Sequence, residues 1–143
     1  MYKCIFIIKL VQIMKRNEQR EQAFILFFEK IFRDDTIEDI LNDALAAEEY
    51  KNNKYSELCF RGVYENIDEI DGIISENLNN WTIDRISKVS LSILRLAIYE
   101  IKYIDEVPEG VAINEAIELC KKYSTSEDAS FVNGVLGSIS RES

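Results

Sequence analysis

The sequence predicts an all-α protein, a compact bundle of six to seven helices. One proline and five glycines in 143 residues leave few turn signals, which favours long helices over a many-stranded sheet. Apolar residues recur at helical spacing along most of the chain, and no convincing strand pattern is present. The hydrophobic fraction of 47% and the charged fraction of 30% are typical of one globular domain with its own core.

The first predicted helix runs from Arg16 to Phe32 and has two different halves. Its second half is expected to be buried, because it carries five apolar residues at helical spacing: Ala23, Phe24, Phe27, Phe28 and Ile31. Its first turns, residues 15–20, are wholly polar and rich in basic side chains, so the helix projects a basic end from a buried stem. Residues 34–36 (DDT) then supply capping groups for a second helix.

Two longer helices are predicted in the middle of the chain. The third helix is expected from Tyr55 to Leu78, where the loop signal Asn79-Asn80 ends it, and Thr82 can cap the next helix. The segment from Ile83 to Ile104 is the most apolar of the chain. Such a segment predicts a central helix that the other helices surround.

The last two predicted helices each come after a break. Residues 105–108 end at Pro108, and proline is well tolerated at the first position of a helix. Residues 124–126 break and recap the chain, and Glu127 and Asp128 then lie at the positive end of a last helix that runs to about Ile139.

The first thirteen residues differ from the rest. Residues 1–13 are an apolar run with two lysines, shorter than the ~20 residues of a bilayer span. They also lack the cleavage site of a signal peptide. We interpret Met14 as the natural start, residues 1–13 as an upstream extension outside the fold, and residues 14–143 as the folded domain. The alternative is a short extra strand or helix that packs on the body.

Charge is divided unevenly along the chain, whose net value is −9. Residues 1–33 carry seven basic and three acidic side chains, a net +4, whereas the remainder carries ten basic and 23 acidic ones, a net −13. A basic head on an acidic body suggests two partners of opposite charge. Ordinary variation among helical surfaces explains the same pattern, and charge alone leaves both interpretations open.

Several classes of chemistry are excluded by residue content. There is no histidine, and the three cysteines, Cys4, Cys59 and Cys120, are far apart with no CxxC pair. A zinc site of the usual spacing and a secreted disulfide framework are therefore not expected. No nucleophile–base pair or glycine-rich phosphate loop is evident either. We predict no catalytic residue, no metal and no cofactor, in an intracellular protein of the cytoplasm.

Several sequence blocks resemble the NusB family. They are ILRLAIYE at residues 93–100 with Val107-Pro108 after it, VAINEAIEL at 111–119 and FVNGVL at 131–136, in the family's order and separations. Trp81 with Asp84-Arg85 lies where such proteins often carry a similar stretch. A weaker likeness in the first helix, Arg20-Glu21-Gln22-Ala23, extends the match to roughly residues 15–139.

The resemblance implies a NusB-like fold of two small subdomains, the first built from the first three helices. It also implies a transcription antitermination factor that binds boxA RNA of nascent ribosomal transcripts as a heterodimer with the ribosomal protein NusE. Other Nus factors and RNA polymerase complete the larger complex, and no membrane takes part. The acidic body suits a basic ribosomal protein. Whether the protein is a monomer or a homodimer stays open.

Two alternatives remain beside this interpretation. The first is a helical adaptor that binds proteins only, which the acidic charge favours. The second is an RNA-targeting domain related to the one that precedes the catalytic domain of certain ribosomal RNA cytosine methyltransferases. No methyl-donor-binding fold is recognised within the 143 residues, so we do not expect an enzyme.

The family's RNA surface implicates the start of the first helix, namely Lys15, Arg16 and Arg20, with Asn17 and Gln19 as hydrogen-bonding partners. Arg16 and Arg20 lie four apart and are expected to share one face, where the helix N-terminus adds donors that favour phosphate. Guanidinium groups suit this role because they pair bidentately with phosphate and stack on bases. On spacing alone, a solvated helix end is the better explanation of the pattern, and the family resemblance reverses this preference. Glu18 and Glu21 dilute the basic charge.

Two further candidates lie outside the first helix. Phe131, near the start of the last helix, either stacks on an unpaired base or anchors that helix in the core. Arg95 stands in an apolar segment, where it needs a partner such as Glu100, Asp84 or another carboxylate. By resemblance it reaches the RNA surface instead. Residues 133–134 are expected to be structural, the glycine allowing a close approach between helices.

Overall fold

The computed structural model describes residues 14–47 and 50–139, and within them it contains seven α-helices and no strand. The predicted all-helical class is therefore confirmed. The prediction for residues 1–13 lies outside the described residues. The helices, numbered here in chain order, are α1 Arg16–Phe32, α2 Ile37–Ala46, α3 Lys54–Glu65, α4 Ile67–Glu76, α5 Lys88–Tyr103, α6 Glu109–Tyr123 and α7 Ser126–Ser138, with a single 3-10 turn at Ile83–Arg85.

Side-chain caps begin four of these helices. The Thr36 and Thr125 hydroxyls accept from the backbone N–H groups of Asp39 and Asp128, as the sequence predicts for α2 and α7. Asn53 and Ser87 cap α3 and α5 in the same way. Each such cap stabilises its helix by about 1 kcal/mol, because it satisfies an amide that has no partner within the helix. Thr82 makes no such capping bond to the 3-10 turn.

The prediction of one helix from Tyr55 to Leu78 is wrong, because the chain breaks at Asn66. This residue has φ −121° and ψ 26°, and it separates α3 from α4. Its side-chain Nδ2 donates to the carbonyl of Gly62 across 2.8 Å. Asparagine offers the backbone an alternative to the helical hydrogen bond in this way, which the apolar periodicity does not reveal. The segment from Ile83 is similarly divided, since α5 begins only after Ser87.

Helix α5 is the centre of the bundle, as predicted. It packs against α1, α3, α4, α6 and α7, while α2 packs on α1. Ile93, Leu94 and Ile98 of α5 are fully buried, and the buried residues of all helices form one continuous core. This packing brings the start of α1 next to the end of α5. None of the described helices is long and apolar enough to cross a membrane.

Candidate nucleic-acid interface

The start of helix α1 presents basic groups to solvent. Lys15, Arg16 and Asn17 are exposed and Gln19 is half-buried. No side chain caps the helix at Lys15, although the Asn17 side-chain oxygen accepts from the N–H of Glu18 across 3.0 Å. The N–H groups of a first helical turn lack partners within the helix and carry its positive partial charge. This end of α1 is therefore suited to an anionic ligand.

Arg16 lies on an aromatic ring rather than extending into water. Its guanidinium carbon is 3.7 Å from the centroid of the Tyr55 ring. Tyr55 is in the first turn of α3 and is 7% exposed. A guanidinium over an aromatic face is attracted by the ring's negative π-cloud. The contact therefore places a cation at the surface and restrains it there.

Arg20 is buried, which contradicts the expectation that it shares an exposed face with Arg16. Its Nε donates to Oε2 of Glu100 across 2.7 Å, and the two side chains are 6% and 2% exposed. The Tyr55 hydroxyl donates to the same carboxylate oxygen, and burial raises the pKa of that hydroxyl. Arg20 therefore lies beneath Arg16 in an ion pair with Glu100, and it also lines the cleft beside Arg16.

An open cleft of about 340 Å³ adjoins Arg16. Its floor is apolar, with Leu58 of α3 and the segment from Ile104 to Pro108 between α5 and α6. Glu106 contributes a carboxylate at its border, beside the basic groups of α1. Leu58 is 53% exposed, so the cleft offers apolar contact next to a fixed cation.

Phe131 contacts both the core and the surface, so it anchors the last helix and remains a candidate for base stacking. It is half-buried and packs on the core, and it also lines a surface pocket of about 240 Å³. Trp81, which is 55% exposed, and Arg85 line the same pocket. Glu127 and Asp128 supply carboxylates there. The pocket thus combines two aromatic rings, a guanidinium and hydrogen-bond acceptors, of which the sequence singles out only Phe131 as a candidate contact.

Arg95 is held in an ion pair, so the structural interpretation is confirmed. Its Nε and one terminal nitrogen donate to the two carboxylate oxygens of Asp71 across 2.9 and 2.8 Å. The Arg95 side chain is 12% exposed, and a terminal nitrogen also contacts the Tyr64 hydroxyl at 3.4 Å. Asp71 on α4 takes the place of the two carboxylates named from the sequence. Sequence reasoning does not identify it, because the register between α4 and α5 is a tertiary feature.

No neighbouring helix lies close to Gly134, so the expectation of a close helix approach at this glycine is wrong. A methyl group added at Gly134 would meet nothing within 4 Å, and Asn133 beside it is exposed. The close approach occurs instead at Gly62 on α3, where an added methyl group would collide with the Tyr99 ring. The motif at residues 131–136 therefore buries Val132, Val135 and Leu136 and leaves its polar residues on the surface.

Lys122, which the sequence does not indicate, neutralises one acidic residue of the basic head. Its Nζ lies 2.6 Å from Oε1 of Glu21, and the Tyr123 hydroxyl donates to the same oxygen. Burial raises the pKa of Glu21, but the hydrogen bonds from Lys122 and Tyr123 outweigh it and lower the pKa below its ordinary value. Lys121 is exposed next to Lys122. The last turn of α6 thereby compensates the charge of Glu21 beside the basic start of α1.

The two candidate regions lie at opposite ends of helix α5. The cleft beside Arg16 includes Ile104, which comes directly after α5, and the pocket of Phe131 includes Ser87, which precedes it. The 16 residues of α5 span about 24 Å at the rise of an α-helix. The predicted contacts at the start of α1 and at Phe131 therefore lie in two separate patches, and Arg95 belongs to neither of them.

Groups that could hold a metal ion are not assembled in the described ranges. They contain no cluster of three or more cysteine or acidic side chains placed to hold a metal ion. Cys59 and Cys120 are both buried, and burial raises the pKa of each thiol to about 12. They are therefore protonated core residues.

The fold and the interface define a small helical protein with a basic, uncapped helix start and a separate aromatic pocket. The model of the NusB family matches residues 17–141. Over 133 residues the chain is 45% identical to the transcription antitermination protein NusB of Listeria monocytogenes serotype 4a (strain HCC23), which covers 90% of this chain and 98% of the relative. The chain belongs to the NusB family of transcription antitermination proteins.

Solved structures give the same assignment. NusB of T. maritima superposes with a TM-score of 0.79 at 36% identity, covering 90% of this chain and 92% of that protein. A chain in the crystal structure of the antitermination factors NusB and NusE in complex with double-stranded RNA superposes with a TM-score of 0.76 at 27% identity, covering 87% and 96%.

Proposed function

We propose that this protein is an antitermination factor that binds boxA RNA of nascent ribosomal transcripts as a heterodimer with the ribosomal protein NusE. The observation that carries the proposal is the exposed Lys15-Arg16 pair at the uncapped start of α1, in a chain related to a NusB that forms a complex with NusE and RNA. In the cytoplasm the heterodimer joins other Nus factors on RNA polymerase. The protein contributes binding surfaces and no catalytic group.

RNA contacts two patches under this proposal. Lys15 and Arg16 bind phosphate at the helix N-terminus, and the Asn17 and Gln19 side chains donate or accept beside them. At the other end of α5, an unpaired base stacks in the pocket of Trp81 and Phe131, a contact worth about 1–3 kcal/mol per base. Single-stranded RNA suits such a surface, because its unpaired bases are free to turn outward and stack on aromatic rings.

NusE has a separate, acidic surface to recognise. Phe24, Phe28 and Phe32 form a ladder along α1, with Phe28 and Phe32 packed edge to face at a centroid distance of 4.9 Å. Phe32, at the end of the ladder, is 63% exposed. Exposed Asp34 and Asp35 come shortly after it in the chain, and Asp35 already accepts from Arg33 Nε across 2.7 Å. An exposed aromatic group with a carboxylate rim suits a basic protein partner, since aromatic anchors carry binding energy while the rim charges steer the encounter.

The test compares charge reversal at Arg16 with a matched reversal elsewhere. Arg16→Glu is expected to weaken binding of boxA RNA to the NusE heterodimer at least tenfold and to flatten its salt dependence, because a phosphate contact is lost. Lys102→Glu carries the same change in charge. Lys102 is two residues beyond Glu100 and therefore on the opposite side of α5, so we expect RNA binding to stay within about twofold.

Two outcomes of this comparison would contradict the proposal. Equal losses for Arg16→Glu and Lys102→Glu would show that only net charge matters and would remove the RNA surface from α1. Binding of NusE without affinity for boxA RNA at any modest ionic strength would favour the alternative of an adaptor that binds proteins only.

A further inference from the structure

Four side chains form a continuous network from the surface into the core. Arg16 lies over the Tyr55 ring, with its guanidinium carbon 3.7 Å from the ring centroid. The Tyr55 hydroxyl donates to Oε2 of Glu100, and Arg20 Nε donates to that oxygen across 2.7 Å. The network connects α1, α3 and α5, which are the three helices that meet below the basic helix start.

Exposure decreases along this network from Arg16 to Glu100. Arg16 is exposed, Tyr55 is 7% exposed and Glu100 is 1% exposed. The inner members are therefore fixed by packing and by charge-assisted hydrogen bonds, which are stronger in surroundings that water does not reach. The outer member is fixed by its contact with the ring. The fixed Tyr55 ring thus restrains the Arg16 side chain, which would otherwise sample many rotamers.

We propose that Tyr55 is a positioning residue for RNA binding, which holds the Arg16 guanidinium over its ring so that the N–H groups meet an RNA phosphate. Glu100 and Arg20 act one step further in, by fixing the Tyr55 ring. This inference rests on the proposed RNA-binding function. It assigns Arg20 an indirect part in RNA binding, through Glu100 and Tyr55 and without contact to RNA.

Preorganisation is the physical reason for this arrangement. Ordering a long side chain on binding costs conformational entropy, and a side chain already held in its bound position avoids that cost. A guanidinium stacked through one face also keeps all its N–H edges for the ligand, because the ring occupies only its face. Lys15 next to it has no such aromatic platform within residues 14–47 and 50–139, and it serves as the natural comparison.

A double-mutant cycle tests the positioning role. Tyr55→Leu is expected to weaken boxA RNA binding by the NusE heterodimer about threefold to tenfold, from the loss of the stacking contact. Arg16→Ala is expected to weaken it strongly on its own but little further in the Tyr55→Leu background. Tyr55→Phe keeps the ring and loses the hydrogen bond to Glu100, so its RNA affinity should lie between those of the parent protein and Tyr55→Leu.

Controls separate positioning from a general loss of structure. Lys15→Ala is expected to act independently of Tyr55→Leu, and NusE affinity should be unchanged in every variant, measured well below its melting temperature. If the parent heterodimer binds RNA and the effects of Tyr55→Leu and Arg16→Ala are additive, the positioning role is overturned while the proposed function stands. Absence of RNA binding by the parent heterodimer would overturn this inference together with the proposed function.

Discussion

Arg20 and Glu100 are eighty positions apart in the sequence, yet Arg20 Nε lies 2.7 Å from Glu100 Oε2 in the interior of the protein. Both side chains are almost completely removed from water. Two buried charges tolerate this environment only while each has the other, because an unpaired charge in the core loses its hydration without compensation. The pair therefore fixes how α1 packs against α5 and places the basic start of α1.

Removing one member of this pair is expected to destabilise the protein strongly. Glu100→Ala should lower the free energy of unfolding by about 3–5 kcal/mol, because Arg20 would keep its charge without a partner. Urea denaturation followed by circular dichroism measures the change. Lys121→Ala is the control, since it breaks an exposed pair with Glu118, and such pairs contribute only about 0–1 kcal/mol. Similar losses in the two variants would contradict the structural role of the buried pair.

Two glycines in neighbouring helices predict opposite responses to the same substitution. Gly62→Ala places a methyl group against the Tyr99 ring, so it should cost about 1–3 kcal/mol through overpacking. Gly72→Ala in α4 meets nothing within 4 Å, and it should stabilise by about 0.4–1 kcal/mol, because alanine loses less entropy in a helix. Thermal melting of both variants checks the pair of signs. Stabilisation by Gly62→Ala would mean that α3 and α5 are further apart than described.

The sequence predicts the helices well and their contacts poorly, for a physical reason. Apolar periodicity reports which face of a helix is buried, so the central place of α5 and the buried half of α1 are consequences of local spacing. It does not report register between helices. For that reason the sequence predicts Arg20 beside Arg16 on the surface and leaves the partner of Arg95 as one of several carboxylates. The break at Asn66 is not predicted because one polar side chain ends α3 without disturbing its apolar stripe.

The Glu21 carboxylate predicts a dependence of stability on pH. Hydrogen bonds from Lys122 and Tyr123 outweigh burial and lower its pKa from the ordinary value of 4.5. The folded state thus favours the ionised form, and the contribution is complete above pH 4.5 and is lost as the pH falls through the lower folded pKa. Glu21→Gln should therefore lower the free energy of unfolding at neutral pH by less than about 1 kcal/mol, because Lys122 is largely solvated. The melting temperature should fall accordingly.

Melting curves from about pH 7 down to about pH 3 check the sign of this effect. The difference in melting temperature between Glu21→Gln and the parent protein should shrink towards acidic pH, because the protonated Glu21 carboxyl is then neutral, like the glutamine amide. Lys121→Ala, which breaks a neighbouring exposed pair, shows the general effect of removing charge from α6. A difference that grows as the pH falls would contradict the lowered pKa of Glu21.

Trp81 and Phe32 are exposed aromatic residues whose replacement should distinguish RNA binding from NusE binding. Trp81 borders the pocket of Phe131 at one end of α5, and Phe32 ends the aromatic ladder of α1. Trp81→Ala should weaken boxA RNA binding about fivefold to a hundredfold through the lost base stacking. It should leave NusE affinity unchanged. Phe32→Ala should weaken NusE binding and leave RNA affinity unchanged, because an exposed aromatic anchor contributes to a protein interface without touching RNA.

Titration of each variant with labelled RNA and, separately, with NusE measures both affinities. Because Trp81 and Phe32 are 55% and 63% exposed, their replacement by alanine should change the melting temperature little, and folding can be set aside as a cause. Phe131→Ala is less informative, since Phe131 also packs on the core. Loss of both affinities in Trp81→Ala would place the two partners on one surface, and loss of neither would exclude its pocket from the RNA site.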